Sequence, residues 1–306
     1  MTDSPQLIHT IEDLQKQVRK ALEKAQEELA TQATEENPAE QATIGFVATM
    51  GALHEGHATL IRRAREQNDI VLVSVFVNPL QFGPNEDFER YPRSLEEDVT
   101  LAGEAGADMV FAPTVEEMYP GGNPLVTVST GKLGSMFEGK TRPGHFDGAL
   151  TVVNKLFNIL IAAKGKHTLN AYFGQKDAQQ VSLVRRMIHD FNHAVVLKPV
   201  AIVREDNGLA LSSRNQYLSE EERESALVLS RTLAILREET LTGQIMATDI
   251  ESAREKINST EGIRLDYLEV VDPMTFEAPT KESQRALALV AAYVGETRLI
   301  DNMELY

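Results

Sequence analysis

The fold is decided by the stretch Ile44-Gly-Phe-Val-Ala-Thr-Met-Gly-Ala-Leu-His-Glu-Gly-His57. Its first five residues form an apolar run that is too short for a helix and predicts a strand. A glycine-containing turn follows, and from His57 onward Leu60, Ile61 and Ala64 fall on one face of a predicted helix. A strand, a turn and a helix are therefore expected in direct succession.

The same alternation continues on both sides of this stretch. A helix is predicted over 11–29, and the β-branched run 70–77 predicts a strand that is buried on both faces. Further strands are expected at 107–112, 126–129, 169–173 and 195–203, further helices at 148–163 and 177–191, and a loop at 132–146. Strands that alternate with helices form βαβ units. We therefore predict an α/β fold whose first domain, residues 1–203, is a Rossmann-like, mainly parallel sheet.

The order of the predicted elements changes after Val203. Two helices, one from about 219 and one near 248–258, precede two predicted strands at 265–271 and 286–294. This order predicts a smaller C-terminal α+β domain over residues 204–306. Ser94 with Glu97, and Ser219 with Glu222, have the spacing of helix capping boxes.

The composition limits the possible functions. The 306 residues include 30 Lys and Arg against 46 Asp and Glu, a net charge of −16, which argues against nucleic-acid or anionic-membrane partners. Cysteine is absent, which excludes disulfides, thiolate metal sites and a cysteine nucleophile. The sequence shows no signal peptide and no apolar stretch near the ~20 residues that cross a bilayer, so we expect a cytoplasmic protein.

Five polar segments carry groups that suit phosphate or carboxylate, and four of them sit at, or lead into, positions after predicted strands. In the first segment, 49–57, two glycines allow close backbone approach, and the helix start offers N–H groups to an anion. His54 and His57 are three residues apart, so both imidazoles can face one point. A metal pair or two ordinary surface histidines would also give this spacing, and the strand-to-helix setting favours a functional role.

The second and third segments are less specific. Asn78 and Gln81 offer neutral amides to hydroxyl or carboxylate groups, although an Asn-Pro turn would also account for them. The basic loop 140–145 contains Arg142 and His145, and an arginine there can bind carboxylate or phosphate or simply be solvated.

The fourth and fifth segments resemble phosphate-binding turns. Lys176 lies at a predicted helix start, where Asp177 suits the first turn and Gln180 lies one turn further; a helix start with an extended lysine is the plain alternative. The run Ser212-Ser213-Arg214 supplies two hydroxyls and a guanidinium, or forms a polar linker. Neither a P-loop nor a Gly-x-Gly-x-x-Gly fingerprint is present.

Taken together, these segments resemble the pantothenate synthetase (pantoate–β-alanine ligase) family of the nucleotidyltransferase superfamily. Residues 50–57 look like the family's ATP-binding signature, a His-x-Gly-His type shared with class I aminoacyl-tRNA synthetases. The other blocks match in order at 76–82, 142–146, 174–180 and 211–215. The match is looser over the C-terminal strands and Leu299-Ile-Asp-Asn302.

The resemblance implies a two-step ligation with ATP as co-substrate and Mg²⁺ on the triphosphate. Pantoate would attack the α-phosphate of ATP to give pantoyl adenylate and pyrophosphate, and β-alanine would then attack the acyl carbon to give pantothenate and AMP. The first domain would bind nucleotide and pantoate. The family is usually homodimeric, and pantoate and β-alanine would be the small-molecule partners.

Site residues carry over position by position. The resemblance makes His57 the proton donor and His54 its phosphate-facing companion, with Lys176 as a third catalytic group. The ATP site would comprise Met50, Gly51, Ala52, Leu53, His54, Glu55, Gly56, His57, Gly174, Gln175, Lys176, Asp177, Val203, Leu211, Ser212, Ser213 and Arg214. The substrates would be held by Gln81, Gln180, Asn78, Arg142 and His145, and no metal ligand is assigned.

Some positions depart from the family pattern. Ala48 and Ala58 replace a proline and a larger apolar residue, Gln175 replaces a glutamate, and the polar segment 31–41 resembles an insertion. We expect the loop 79–92 to act as a lid that shields the adenylate from water.

Three other functions are alternatives to the ligase. They are a Zn²⁺ hydrolase that uses His54, His57, His145 and a carboxylate, a related nucleotidyltransferase for another acid, and a non-catalytic binding protein.

Overall fold

The computed structural model of the protein describes residues 4–34, 40–83, 88–163, 167–242 and 247–306. Residues 35–39 of the polar segment and 84–87 of the expected lid lie outside this range, so the insertion and the lid stay predictions. The chain divides into two compact units. Unit 1 comprises Met1–Gly174 and Leu183–Val200, and unit 2 comprises Gln175–Ser182 and Ala201–Tyr306.

Nine strands run through the described residues. In chain order they are β1 (Gln6–Ile8), β2 (Thr43–Thr49), β3 (Ile70–Val75), β4 (Met109–Phe111), β5 (Thr168–Gly174), β6 (Val195–Val200), β7 (Ile263–Val271), β8 (Leu287–Val294) and β9 (Thr297–Glu304).

Nine α-helices and four short 3-10 helices lie in the same described ranges. The α-helices are α1 (Ile11–Gln32), α2 (Glu55–Gln67), α3 (Leu95–Glu104), α4 (Val115–Met118), α5 (Glu138–Thr141), α6 (His145–Ile161), α7 (Ala178–Asp190), α8 (Glu220–Thr242) and α9 (Ala247–Asn258), and the 3-10 helices are Pro79–Gln81, Leu133–Ser135, Gln175–Asp177 and Ser213–Tyr217.

Unit 1 is built on a six-stranded sheet in which every pair of neighbours is parallel. The strand order is β1-β4-β3-β2-β5-β6, so the chain runs outward from β2 to one side and then returns to build the other side from β5. This is the doubly wound arrangement, whose ligand crevice lies beyond the carboxyl ends of the two strands at the point of reversal. The predicted Rossmann-like sheet is confirmed, and its switch point lies between β2 and β5.

The central strands are apolar on both faces because helices cover both sides of the sheet. Val47 and Val73 pack with Ile61 of α2 in one cluster on one face. Phe46, which directly precedes Val47 on β2, contacts the ring of Phe157 from α6 edge-on, with ring centroids 6.4 Å apart. Alternation along the strand therefore sends successive side chains into two different helix layers.

Unit 2 contains the predicted smaller α+β region. The strands β7, β8 and β9 form an antiparallel sheet with β8 in the centre. Its core joins α8, α9 and the sheet through buried side chains such as Leu227, Ile257, Leu268 and Val290. The Ser219–Glu222 capping box is confirmed, because each side chain accepts a hydrogen bond from the other residue's backbone N–H.

Several local predictions are wrong. Residues 126–129 form no strand, because the N–H of Val128 donates to the Thr151 side chain and Val126 is almost fully exposed. The expected loop 132–146 holds short helices, and α6 begins at His145 because Gly144 adopts a left-handed conformation there. Ser94 makes no side-chain cap, since its ψ of 56° departs from the extended conformation of an N-cap residue.

Two strands were not predicted. The strand β1 has only three residues, and β9 carries polar side chains that hide its apolar alternation. Among the described residues, none of the helices is long and apolar enough to cross a membrane.

Candidate active site

The turn after β2 is held in an unusual conformation. Gly51 and Ala52 both have positive φ angles, of 87° and 51°. The hydroxyl of Thr49 donates to the carbonyl of Ser74 over 2.7 Å and accepts from the N–H of Gly51 over 3.2 Å. The left-handed backbone conformation costs little free energy at glycine and more at alanine, so surrounding contacts must hold this turn.

Asp98 of α3 supplies those contacts. Its carboxylate accepts from the N–H of Ala52 over 3.1 Å and from the N–H of Leu53 over 2.7 Å, and the residue is only 2% exposed. The sequence reasoning missed this residue, because Asp98 follows two glutamates and looks like one more acid in a helix's first turn. No local signal could have revealed a partner 46 positions away.

The two histidines both cap the start of α2. The Nδ1 atom of His54 accepts from the N–H of Gly56 over 3.1 Å, and the Nδ1 atom of His57 accepts from the N–H of His54 over 3.3 Å. An accepting Nδ1 in a neutral imidazole places the proton on Nε2. The rings lie 4.2 Å apart between centroids, so the site presents two adjacent Nε2–H donors at a helix N-terminus.

Glu55 takes no part in this capping. Its carboxylate accepts two hydrogen bonds from Arg62 on the same helix, at 2.6 and 3.3 Å. Hydrogen bonding to Arg62 lowers the pKa of Glu55 below its usual value. The carboxylate therefore stays ionised and faces its helix partner.

A buried amide cluster follows β3. The side chain of Asn78 donates to Gln81 Oε1 and to the carbonyl of Gly148, each over 3.1 Å, and accepts from the hydroxyl of Tyr119 over 2.9 Å. Gln81 in turn donates to the sulfur of Met50 over 2.8 Å. Burial raises the pKa of Tyr119, so its hydroxyl remains a donor. Tyr119 was missed because it lies in an ordinary Tyr-Pro-Gly-Gly turn.

The predicted residues Arg142 and His145 join the same cluster. One nitrogen of Arg142 lies 3.0 Å from Nε2 of His145, and Nδ1 of His145 lies 2.8 Å from the carbonyl oxygen of Gln81. Because arginine can only donate, Nε2 of His145 accepts and Nδ1 carries the proton. This tautomer lets His145 donate to the main chain of Gln81.

Most of the remaining predicted residues belong to unit 2, and three of them, Lys176, Ser212 and Arg214, line one cavity there. Gly174 ends β5 of unit 1, and Gln175, Lys176 and Asp177 then form a single 3-10 turn before α7. Gln180 is half-buried in the first turns of α7. One cavity of unit 2 is lined by Lys176, Leu209, Ala210, Ser212, Arg214, Asn215, Ala226, Leu229, Arg298, Leu299, Ile300 and Asp301.

Ser212 enters this cavity from the end of a hairpin. The N–H of Leu211 donates to the carbonyl of Val203 over 2.9 Å. Ser212 then caps the 3-10 helix that follows, where its hydroxyl accepts from the N–H of Arg214 over 3.2 Å. Ser213 is the first residue of that helix, and its side chain lies outside the described part of the structure. A lysine, a hydroxyl and a guanidinium thus line one cavity, as a polyphosphate requires.

The zinc alternative finds no support in the geometry. Among the described residues, no group of three or more His, Cys, Asp or Glu side chains could hold a metal ion. The ring nitrogens of His145 are already hydrogen-bonded to Arg142 and Gln81.

Comparisons with known proteins agree on one family. The family model for pantoate-beta-alanine ligase matches residues 7–304. Pantothenate synthetase from Corynebacterium glutamicum (strain R) is 51% identical, with 86% of this chain and 94% of that protein covered. The Nocardioides sp. enzyme of the same name is 47% identical, over 100% of this chain and 86% of that protein.

Solved structures give the same result. The crystal structure of pantothenate synthetase from Thermus thermophilus matches with a TM-score of 0.80 and 44% identity, covering 98% of this chain and 99% of that one. Pantoate-beta-alanine ligase from Francisella tularensis, complexed with beta-gamma ATP and beta-alanine, matches with a TM-score of 0.69 and 34% identity, covering 98% and 97%.

Proposed function

The chain belongs to the pantoate-beta-alanine ligase family, and on that premise we propose how its own residues carry out the reaction. The protein is an ATP-dependent ligase that condenses pantoate with β-alanine through pantoyl adenylate, releasing pyrophosphate and AMP. The observation that carries the residue assignment is the pair of Nε2–H donors at the start of α2, at the switch point of the sheet.

The first step needs charge stabilisation more than a covalent nucleophile. A pantoate carboxylate oxygen bonds to the α-phosphorus as the bond to pyrophosphate breaks, and negative charge builds on the phosphate oxygens. His57 and His54 donate Nε2–H groups toward those oxygens, helped by the N-terminal dipole of α2. His57 is the proton donor in this assignment, and Asp98 keeps the turn before it in place.

The triphosphate is held by the cavity of unit 2. Lys176 and Arg214 neutralise its charge, and the hydroxyl of Ser212 donates to its oxygens; the role of Ser213 stays an assignment from the sequence. Such local positive charge is needed because the protein as a whole carries a net charge of −16 and repels a free polyanion.

The organic substrates are assigned to the amide cluster and to Gln180. Gln81 contacts pantoate and the incoming β-alanine, and Gln180 holds pantoate. Asn78 already makes bonds to Gln81, Gly148 and Tyr119, so it serves this site by fixing the Gln81 amide. His145 and Arg142 fix the Gln81 main chain in the same way.

Mg²⁺ is proposed to enter with ATP. The described residues offer no preformed cluster of three ligands, which fits an ion that is held mainly by phosphate oxygens and needs only one or two protein carboxylates. Asp177 is exposed and follows Lys176 in the sequence, and it is the carboxylate that we propose for this ion. Bound there, the ion would neutralise phosphate charge.

We also propose that the protein is a cytoplasmic homodimer. The absence of cysteine suits a reducing compartment. Leu125 and Val126 are almost fully exposed and adjacent, and apolar side chains placed in this way gain by burial against a second chain.

The function is tested by an omission experiment. The purified protein is incubated with ATP, Mg²⁺, pantoate and β-alanine, and each component is left out in turn. AMP formation should need all four. Exchange of labelled pyrophosphate into ATP should need pantoate and no β-alanine, because it reports the first step alone. AMP release without pantoate would refute the assignment.

A further inference from the structure

We propose that Asp301 and Asn302, neighbours on β9, are positioning residues that hold the two phosphate-binding segments of unit 2 in place. The inference rests on the proposed function and extends it to the C-terminal strand. Both side chains are buried, at 5% and 6% exposure.

Asn302 holds the turn that carries Lys176. Its Nδ2 group donates to the carbonyl of Gln175 over 2.8 Å and to the carbonyl of Lys176 over 3.0 Å. Both hydrogens of one amide thus go to two successive carbonyls. A single 3-10 turn has few hydrogen bonds of its own, so this clamp fixes the backbone from which the Lys176 side chain departs.

Asp301 holds the hairpin that leads to Ser212. Its two carboxylate oxygens accept from the two terminal nitrogens of Arg204, at 2.7 and 3.0 Å. Arg204 pairs with Ala210 across the hairpin and also donates to the carbonyl of Gly208 over 3.1 Å. A bidentate pair of this kind fixes both distance and direction.

The two clamps are joined to each other and to the cavity. Oδ1 of Asp301 also accepts from the N–H of Asn302 over 2.8 Å. Lys176, Ser212 and Asp301 line the same cavity. One strand therefore sets the spacing between the lysine and the hydroxyl that bind the triphosphate, and rigid support of this kind lowers the entropic cost of binding.

The test separates ATP binding from the rest of the reaction. Asn302→Ala and Asp301→Asn are compared with Glu304→Gln, a control on the same strand that alters the ion pair with Arg285. The KM for ATP is measured by pyrophosphate exchange. The second half-reaction is measured with preformed pantoyl adenylate and β-alanine, which needs no triphosphate.

Asn302→Ala should raise the KM for ATP about tenfold, since two hydrogen bonds of ordinary net strength are lost. Asp301→Asn should also raise the KM for ATP, and Glu304→Gln should leave it unchanged. The KM for β-alanine in the second half-reaction should stay within about twofold in all three variants, because one lost hydrogen bond would already exceed that.

KM does not depend on the amount of folded enzyme, so partial unfolding of a variant would not hide the result. An unchanged KM for ATP in Asn302→Ala and Asp301→Asn would overturn the inference. So would an equal rise in the KM for β-alanine, which would indicate a general structural role. A wild-type protein that shows no pantoate-dependent exchange would instead refute the proposed function.

Discussion

Single ring nitrogens decide what His54 and His57 can do. Each uses Nδ1 as an acceptor for a backbone N–H at the start of α2, so one pair of bonds caps the helix and also selects the tautomer. Histidine occupies positions where serine and glutamate would ordinarily form a capping box. The imidazole satisfies the same backbone groups and adds a donor on its far side.

Loss of His57 should therefore slow catalysis far more than it destabilises the protein. We expect His57→Ala to lower the rate of adenylate formation by about 10²–10³, the usual cost of one preorganised donor. Alanine removes the imidazole donor together with a helix cap, and loss of the cap costs only about 1 kcal/mol of stability. The measurement is single-turnover pyrophosphate release, with thermal unfolding monitored by circular dichroism.

Lys176→Ala should lower the rate by a similar factor, because it removes a positive charge from the cavity that receives the triphosphate. The matched control is Lys24→Ala, which removes an exposed lysine of α1 that forms an ion pair with Glu28 one turn along the same helix. Near-normal turnover of His57→Ala or Lys176→Ala in folded protein would contradict their assigned roles.

His193 should make stability depend on pH. Burial lowers its pKa below the usual 6.5, and Nε2 donates to Asn154 Oδ1 over 2.8 Å in the neutral form. The unfolded chain therefore binds this proton more readily than the folded one. The free energy of unfolding should fall as the pH drops below 6.5 and continue to fall until the folded-state pKa is passed.

Urea unfolding at pH 7.5 and at about pH 5.5 measures this effect, with the two values chosen to bracket the usual histidine pKa. His193→Gln, which cannot be protonated, should lose less stability between these conditions than the wild type. An equal loss in both proteins would show that His193 is not the source of the pH dependence.

At the scale of elements, the contact of α6 with the 3-10 helix Pro79–Gln81 determines the position of the amide cluster of Asn78 and Gln81. A Cβ atom on Gly148 would lie 2.1 Å from the carbonyl oxygen of Leu80 and 2.6 Å from the N–H nitrogen of Gln81. Only a residue without a side chain lets backbone meet backbone here. The same approach brings the Gly148 carbonyl to Asn78.

Gly148→Ala should therefore damage both stability and substrate binding. We expect a loss of about 1–3 kcal/mol from overpacking and a raised KM for pantoate, because the added methyl group pushes Gln81 away from α6. Urea unfolding and steady-state kinetics measure the two effects.

The control is Asn158→Ala, an exposed position on the same helix. It should leave the KM for pantoate unchanged. If Gly148→Ala matches the wild type in both measurements, the close approach does not position Gln81.

At the scale of the whole molecule, the exposed pair Leu125 and Val126 bears on assembly. Light scattering should give a mass near twice the 33.9 kDa of one chain. Replacing both residues with aspartate should shift the mass toward that of one chain, because the charge opposes burial at an interface. A wild-type mass of one chain at all concentrations would rule out the homodimer.

The sequence could predict the central strands and the switch-point turn, because β2, β3 and β5 are short, mainly apolar segments and each leads into a turn that contains polar residues. It could not predict β1 or β9. Three residues are too few for a pattern in β1, and β9 buries polar residues that have distant partners.

The sequence by itself determined the alternation of strands and helices, the Ser219–Glu222 cap, and which turns carry phosphate-compatible groups. These depend on residues within a few positions of one another. Only the tertiary structure decided that Asp98, Tyr119 and Asn302 support those turns, and which nitrogen of each histidine carries the proton. Such features depend on hydrogen bonds between residues 41 to 127 positions apart, or on the local capping geometry of α2, and a linear pattern does not contain those distances.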